Sequence, residues 1–307
     1  MTGTNHFSTT SDTHPGITPE SAGWQYLTFR VEHLGAGETR TGETGGLEMA
    51  LVPQEGDLTA SANGETYTLR RESVFTQLPH VLYLPPGTSY TLTATQDSTY
   101  AIGGAPAQGR LPVRLIRPEE IRVELRGGAN ATRQVSHILG PDLPAERLLL
   151  YEVYTPSGNW SGWPPHRHDG RLGSLYIEET YYYRVSPPGG WAVHRNYSPE
   201  DGEDELLLAR DGDLILSRRG YHPVAAAPGS NVYYLNYMAG EAQGEERSRA
   251  PVDEAAWGWM RQDWGGRAMD LPFGAARRGE PLHEAGGQDE TLVREDSSQP
   301  ASEAPPP

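Results

Sequence analysis

The 307-residue sequence contains no cysteine and no lysine. Without cysteine, the chain can form neither disulfides nor thiolate nucleophiles, and cysteine-ligated zinc sites and iron–sulfur clusters are excluded as well. Without lysine, it cannot form the Schiff base of an aldolase or of a pyridoxal-phosphate enzyme, and it has no lysine for a Walker-type phosphate loop. Demanding chemistry must therefore rely on histidine, carboxylate, tyrosine and arginine side chains, or on a metal ion.

Positive charge is scarce and long apolar runs are missing. The 25 basic residues face 41 acidic ones, which gives a net charge of −16, and this charge repels phosphate backbones and anionic lipid surfaces. No stretch approaches the roughly 20 apolar residues of a spanning helix, and the N-terminus lacks the basic and apolar regions of a secretory signal. We therefore expect a cytoplasmic protein that binds neither nucleic acid nor membrane.

Turn residues divide the sequence into many short apolar stretches. With 36 glycines and 26 prolines, this pattern is typical of an antiparallel β-sandwich or barrel rather than of helices. A proline-containing stretch followed by Arg126-Gly-Gly-Ala-Asn130 predicts a passage between two modules, with the boundary near Gly127. The strand rhythm is similar on both sides, which favours a duplicated β-barrel.

Two histidines, separated by one residue, follow a proline pair in the segment NWSGWPPHRHD (159–169). In an extended strand, alternate side chains share a face, so His166 and His168 are expected to point the same way, about 7 Å apart along the backbone. Pro164 and Pro165 favour extended over helical backbone at this point. Two imidazoles placed in this way can bind one metal ion.

Two further elements can complete a metal site. Strand alternation puts Glu178 and Glu179 on opposite faces of the aromatic strand that follows, so only one of them can face the metal. Tyr181 and Tyr183 share the face of Glu179. A glycine turn after a third apolar strand delivers His222. Three imidazoles and one carboxylate suit Zn, Mn, Fe, Co or Ni and leave positions open for a substrate.

These patterns resemble the metal signatures of the cupin superfamily. Four longer strings are similar to those of the 5-deoxy-glucuronate isomerases of myo-inositol breakdown, and they read NATRQV (130–135), NWSGWPPHRHD (159–169), ETYYYR (179–184) and RGYHPVAAAPG (219–229). The resemblance extends over residues 22–270. The related 4-deoxy-5-ketouronate isomerases of pectin breakdown share the metal pattern but less of these longer sequence strings.

The resemblance implies an all-β fold of two cupin (jelly-roll) barrels and one divalent transition metal, with zinc or manganese favoured over iron, cobalt and nickel. It assigns the ligands His166, His168, Glu179 and His222. Common cupins place the glutamate a few residues after the second histidine, whereas Glu179 lies eleven positions beyond His168. Glu179 is preferred to Glu178 because its place before the aromatic strand matches the family.

The prediction divides the chain into four segments. Residues 1–18 and 274–307 carry too little apolar surface to order themselves and are expected to be disordered tails. Residues 19–126 are expected to form a barrel without metal, because they lack a His-x-His pair, and residues 127–273 the metal-binding barrel. The second barrel should end in a short helix over 253–261, whose acidic start and basic finish match the helix macrodipole.

The resemblance also implies an aldose–ketose isomerase that converts 5-deoxy-D-glucuronate to 5-dehydro-2-deoxy-D-gluconate. Such a reaction moves a proton between adjacent carbons through an enediolate, so a Lewis acid and a base suffice. We expect Tyr181 or Tyr183 to shuttle the proton, with a metal-bound hydroxide or Glu179 as alternatives. Arg184 is the candidate for binding the carboxylate of this small-molecule sugar acid.

Other interpretations stay open. The chain could be the pectin-pathway uronate isomerase with the same ligands, an iron cupin dioxygenase that consumes oxygen, or a sugar-binding or storage cupin without catalysis. Exposed barrel edges also predict a homo-oligomer.

Overall fold

The computed structural model describes residues 5–8 and 16–265. In these ranges the chain is mostly β, with one short α-helix, α1 (Pro19–Ala22). Short 3₁₀ helices cover Pro118–Glu120, Ala129–Ala131, Gly244–Ser248 and Gly258–Arg261. No helix of this described part is long and apolar enough to cross a membrane. The predicted all-β class is confirmed.

The strands are numbered in chain order. The first nine are β1 (His6–Ser8), β2 (Thr28–Leu34), β3 (Thr39–Glu43), β4 (Leu47–Ala62), β5 (Glu65–Arg71), β6 (Val81–Leu84), β7 (Ser89–Ala94), β8 (Ser98–Pro106) and β9 (Arg114–Ile116). The others are β10 (Arg122–Arg126), β11 (Arg133–Leu139), β12 (Leu149–Thr155), β13 (Trp160–Ser161), β14 (His166–Arg167), β15 (Ile177–Ser186), β16 (Ala192–Ser198), β17 (Glu203–Ala209), β18 (Asp213–Ser217), β19 (Val224–Ala226), β20 (Asn231–Gly240) and β21 (Val252–Asp253).

The first barrel consists of β2 to β9. Its main sheet has the order β2-β8-β4-β6-β9, while β3, β5 and β7 pair around the far end of β4. The 16-residue strand β4 therefore takes part in both walls, and a register shift near Pro53 marks its bend. The interior is a cluster of buried aliphatic side chains that includes Leu51, Leu58, Leu82 and Leu92. This packing fills the barrel.

The second barrel pairs a seven-stranded sheet with a four-stranded one. The larger sheet has the order β1-β18-β15-β20-β12-β11-β10, and the smaller one β13-β19-β16-β17. Strands β14 and β21 form a separate two-stranded ladder. The interior cluster is partly aromatic and contains Tyr181, Tyr183 and Tyr234 beside Val153 and Val224. Buried in the second barrel as well are the polar residues His168, Glu179 and His222.

The two barrels share one hydrophobic core. A cluster of buried side chains joins Phe29 and Tyr83 of the first barrel to Tyr182, Tyr233 and Tyr237 of the second. The rings of Phe29 and Tyr237 lie 5.2 Å apart. Residues Met1–Gly266 accordingly form one compact unit. Strand alternation explains the arrangement, because each of the two facing sheets points one set of side chains into its barrel and the other set at its neighbour.

Buried carboxylates tie loops across the boundary between the barrels. Glu48 on β4 accepts hydrogen bonds from the main-chain N–H groups of three successive residues of the second half, Glu146, Arg147 and Leu148. In the opposite direction, Glu178 on β15 accepts from the N–H groups of Gln25, Tyr26 and Leu27. Each carboxylate thereby satisfies main-chain donors that no strand would pair.

A fully buried ion pair joins the same two barrels. Arg71 on β5 donates to both oxygens of Glu152 on β12, at 2.5 and 3.0 Å, and neither side chain is exposed. The hydroxyl groups of Tyr154 and Tyr233 also donate to Glu152. This network compensates the desolvation of both charges, and removal of one partner would leave the other buried and unpaired.

Three local features differ from the sequence prediction. Within the expected N-terminal tail, β1 pairs with β18, because its apolar Phe7 lies opposite Leu214. The Gly127–Gly128 turn, predicted as the module boundary, is the hairpin between β10 and β11 of one sheet. The expected helix over 253–261 is only a four-residue 3₁₀ helix, because Val252–Asp253 pairs with β14 instead. The predicted tail 274–307 lies outside the described residues.

We predict that Glu152→Gln lowers the free energy of unfolding by about 3–5 kcal/mol, because the buried Arg71 loses its charge partner. Urea unfolding measures the change. The control is Asp204→Asn, which breaks the exposed Arg195–Asp204 pair and should cost less than about 1 kcal/mol. An equal decrease in the free energy of unfolding in the two variants would show that the buried ion pair stabilises the fold no more than the exposed one.

Candidate metal centre

The backbone around the two spaced histidines brings three chain segments together. His166 lies on β14 and pairs with Asp253, while His168 follows directly. Asp169 and Tyr176 then form an isolated β-bridge, so the intervening residues loop out as expected from the long spacing to Glu179. The chain returns at Ile177 and enters β15. Glu179 is therefore the third residue of β15.

The side chains of His168, Glu179 and His222 converge on one point. The Nε2 atom of His168 lies 2.9 Å from Oε2 of Glu179, and the Nε2 atom of His222 lies 3.4 Å from the same oxygen. One ligand atom from each of the three residues lies within 4.8 Å of the other two, and all three residues are buried. His166 lies beside this group, with its ring centroid 5.0 Å from that of His222.

All three imidazole rings have the same orientation. Each turns Nδ1 towards a main-chain carbonyl oxygen, at 3.3, 2.9 and 3.3 Å, in the pairs His166–Pro164, His168–Ile177 and His222–Gly220. A donating Nδ1 leaves the Nε2 lone pair free, which is how proteins commonly orient metal-ligating histidines. The Nε2 atom of His222 is buried without a hydrogen-bond partner. An orphaned buried nitrogen is costly unless something binds it.

The electrostatics favour neutral imidazoles at His166 and His222. Burial, followed by the charge of His168, lowers the pKa of His166 to about 3, and burial likewise lowers the pKa of His222 well below its usual range. Burial also opposes the charge on His168, but its hydrogen bond to Glu179 raises the pKa of this ring overall. Neutral imidazole is the ligand form of histidine. The donor set thus fits a divalent first-row metal.

The structure separates the two neighbouring glutamates. Glu179 points into the second barrel with the histidines, whereas Glu178 points at the first barrel and is occupied by main-chain N–H groups and by the hydroxyl of Tyr176. Register agrees with this, because Glu178 and Glu179 pair with successive residues of β20 and must face opposite sides. Only Glu179 is placed to bind a metal.

The two candidate tyrosines have different surroundings. Tyr181 lines the cavity next to Glu179, and its ring lies 6.0 Å from that of His222. The hydroxyl of Tyr183 lies instead 2.7 Å from Nδ1 of His194, deeper in the barrel, and this residue is not part of the cavity wall. Burial raises the pKa of both phenols well above the usual value, with Glu179 adding to the effect at Tyr181. Of the two, the structure brings only Tyr181 to the site.

Arg184 lies away from the cavity, contrary to its expected place beside a substrate carboxylate. Like Glu178, it occupies an even-numbered position of β15, so its side chain lies on the face opposite to Glu179. Its Nε atom donates to Asp211 at 2.9 Å, and Glu55 of the first barrel lies 3.8 Å away. The arginine is therefore occupied by carboxylates of this chain.

A cavity of about 590 Å³ lies over the metal ligands. Its wall holds six arginines, although the whole chain is acidic, and these are Arg122, Arg126, Arg133, Arg247, Arg249 and Arg261. None of these arginines was among the residues predicted from sequence. Alternation along β11 was the available signal, because Arg133, Val135 and His137 line the cavity. The cavity wall is suited to an anionic ligand.

Comparison with solved structures supports the fold. The chain is similar to an oxalate decarboxylase of Bacillus subtilis at 12% identity, with a TM-score of 0.55 over 82% of this chain and 79% of the other. This level of likeness concerns the fold alone. It agrees with the predicted pair of cupin barrels, which the structure confirms.

Nearer relatives cover most of the chain. A 5-deoxy-glucuronate isomerase of Geobacillus kaustophilus is 42% identical over 229 residues, which is 73% of this chain and 83% of the relative. An IolB-like protein of Salmonella typhimurium has a crystal structure with 36% identity and a TM-score of 0.79, over 84% of this chain and 99% of the other. The profile of the KduI/IolB family matches residues 4–260. The chain therefore belongs to the KduI/IolB family and is an isomerase of that family.

Proposed function

We propose that this isomerase converts 5-deoxy-D-glucuronate to 5-dehydro-2-deoxy-D-gluconate with the help of one divalent metal, as a step of myo-inositol breakdown in the cytoplasm. The observation that carries the proposal is the buried convergence of His168, Glu179 and His222, with the Nε2 atom of His222 left without a hydrogen-bond partner, beside an arginine-rich cavity. The curated relatives, named 5-deoxy-glucuronate isomerases, support the choice of sugar acid.

The metal would be held by His168, Glu179 and His222, with His166 as the fourth ligand. When bound, it supplies a Lewis acid that polarises the carbonyl group and the neighbouring hydroxyl of the substrate. The protein contributes the orientation of the ligands, because each Nδ1 is fixed by a main-chain carbonyl. Zinc and manganese remain the favoured ions, as the family resemblance implies. The donor set itself does not discriminate sharply among first-row metals.

Proton movement at the substrate requires a group on the cavity wall. Tyr181 carries its proton at neutral pH because burial raises its pKa, so its hydroxyl can donate to the substrate oxygen that gains negative charge. Donors fixed in advance at such an oxygen are a main source of rate enhancement. Glu179 adjoins this hydroxyl and is the carboxylate best placed to exchange a proton with it. Tyr183, bonded to His194, has no such access.

The homo-oligomer predicted from exposed edges remains part of the proposal. Strand β17 lies at the edge of its sheet and carries Leu206 and Leu208, which are 68% and 38% exposed. Apolar side chains on an open edge are a common feature of subunit contacts.

Removal of the metal should abolish turnover of 5-deoxy-D-glucuronate, and addition of Mn²⁺ or Zn²⁺ should restore it. The same ions should raise the melting temperature, because a ligand that binds only the folded state stabilises it. His168→Ala should lose both effects, whereas His33→Ala, at an exposed position of β2, should keep them. Full turnover by the metal-free protein would refute the metal-dependent mechanism.

Substrate choice is tested in the same assay with 4-deoxy-5-ketouronate. We expect turnover of 5-deoxy-D-glucuronate to be far more efficient. A preference for the other sugar acid would favour the pectin-pathway assignment. Oxygen uptake would indicate a dioxygenase, and binding without turnover a storage cupin.

The variant Tyr181→Phe should lower kcat by about 10²- to 10⁴-fold at unchanged metal content, because it removes the proton-bearing group from the cavity wall. The matched control is Tyr183→Phe, which removes the same atom from the next inward-facing position but does not alter the wall. Its kcat should change only a few-fold. Steady-state kinetics with metal analysis measures both, and equal effects of the two changes would rule out a specific role for Tyr181.

A further inference from the structure

Arg133, the first residue of β11, is a buried arginine without a carboxylate partner among the described residues. Its side chain lines the cavity, and the residue is only 7% exposed. The structure gives its guanidinium a single hydrogen bond, from Nη1 to the main-chain oxygen of Ala131 at 3.2 Å. A guanidinium has five N–H donors, so the other donors are left without an acceptor among the described residues.

The surrounding charges do not compensate Arg133. Glu124 is the carboxylate that acts on it electrostatically, but that carboxylate is already bound by Arg126 at 3.0 Å, Arg122 at 3.2 Å and His137 at 3.0 Å. Burial, followed by the charges of Arg126 and Arg261, lowers the pKa of Arg133 below its usual value. An arginine still keeps its charge at neutral pH, so a buried cation remains that an anion would stabilise.

The other cavity arginines are either paired within the protein or exposed to solvent. Arg261 is paired with Asp253, and Arg247 donates to main-chain carbonyls of Gly140 and Leu148. Arg249 is exposed. Arg133 is thus the buried cavity arginine whose donors are not used by the protein itself.

The backbone fixes the position of this guanidinium. Gly127 has a φ of +82°, and a Cβ atom there would lie 2.1 Å from the oxygen of Ala131 and 2.8 Å from Nη1 of Arg133. The amide of Asn159 donates to the main-chain oxygen of Thr132 at 2.8 Å and so anchors the start of β11. These contacts fix the backbone beside Arg133, and the hydrogen bond to Ala131 anchors Nη1 of the guanidinium.

We infer that Arg133 binds the carboxylate group of the sugar-acid substrate and thereby selects uronate-type acids over neutral sugars. The inference rests on the proposed function. In that proposal the reacting end of the substrate lies at the metal ligands, and Arg133, on another part of the cavity wall, binds its carboxylate end. A guanidinium fork matches the two oxygens of a carboxylate in geometry and charge. The carboxylate of the substrate would be the counter-ion of Arg133, which has no carboxylate partner among the described residues.

The test compares binding of D-glucuronate and D-glucose to the metal-loaded protein by calorimetry, together with KM and kcat for 5-deoxy-D-glucuronate. The wild type should bind the acid at least about 10-fold more tightly than the neutral sugar. Arg133→Met should weaken acid binding and raise KM by about 10- to 100-fold with a smaller change in kcat, as expected for a lost charged hydrogen bond. Binding of glucose should not change.

Two matched variants complete the design. Arg133→Lys keeps the charge without the fork and should recover part of the preference for the acid. Arg195→Met removes an exposed arginine outside the cavity that is paired with Asp204, and it should leave binding and KM as in the wild type.

The outcomes separate this inference from the proposed function. Turnover with an unaltered KM in Arg133→Met would overturn the inference and leave the isomerase assignment intact. Acid binding that depends on Arg133 in a protein without turnover would support the carboxylate site and refute the reaction. A wild type that binds glucose as tightly as glucuronate would overturn the inference even if every Arg133 variant failed to fold.

Discussion

The architecture depends on the alternation of side chains along β15. This strand runs between β18 and β20 and is buried on both faces. Its odd-numbered residues, including Glu179 and Tyr181, enter the second barrel, and its even-numbered ones, including Glu178 and Tyr182, enter the core shared with the first barrel. A slip of one residue would exchange the positions of Glu179, a candidate metal ligand, and Glu178, which accepts from main-chain N–H groups of the first barrel. The interface between the barrels and the metal site therefore constrain one another through a single register.

Sequence could indicate that His166 and His168 lie close together, because strand period relates them locally. Alternation also separated Glu178 from Glu179, but the choice between them came from the family resemblance, and the structure then grouped His168, Glu179 and His222. The shared core with its Arg71–Glu152 pair could not be predicted, because it depends on which sheet faces of two distant segments meet. Strand patterns indicate that a face is buried but do not identify its partner.

The arginine predicted to bind substrate shows the limit of resemblance used without geometry. Arg184 follows the aromatic run of β15, but like Glu178 it occupies an even-numbered position and so points away from the face that carries Glu179. The same alternation along β11 would have favoured Arg133, which shares its face with Val135 and His137. What the sequence could not reveal is that Glu124 is occupied by other cations. Whether an arginine is free to bind a ligand depends on the ion pairs that form when the chain folds.

The two barrels divide the tasks of stability and chemistry. The first is filled by aliphatic side chains such as Leu51 and Leu58, whereas the second buries histidines, tyrosines and Arg133 around a cavity. Such polar burial costs free energy wherever a donor lacks a partner. The free Nε2 of His222 and the open donors of Arg133 are two such groups, one suited to a metal and one to an anion. Because the shared core stabilises the whole unit, the second barrel can retain both groups without partners from the described part of the chain.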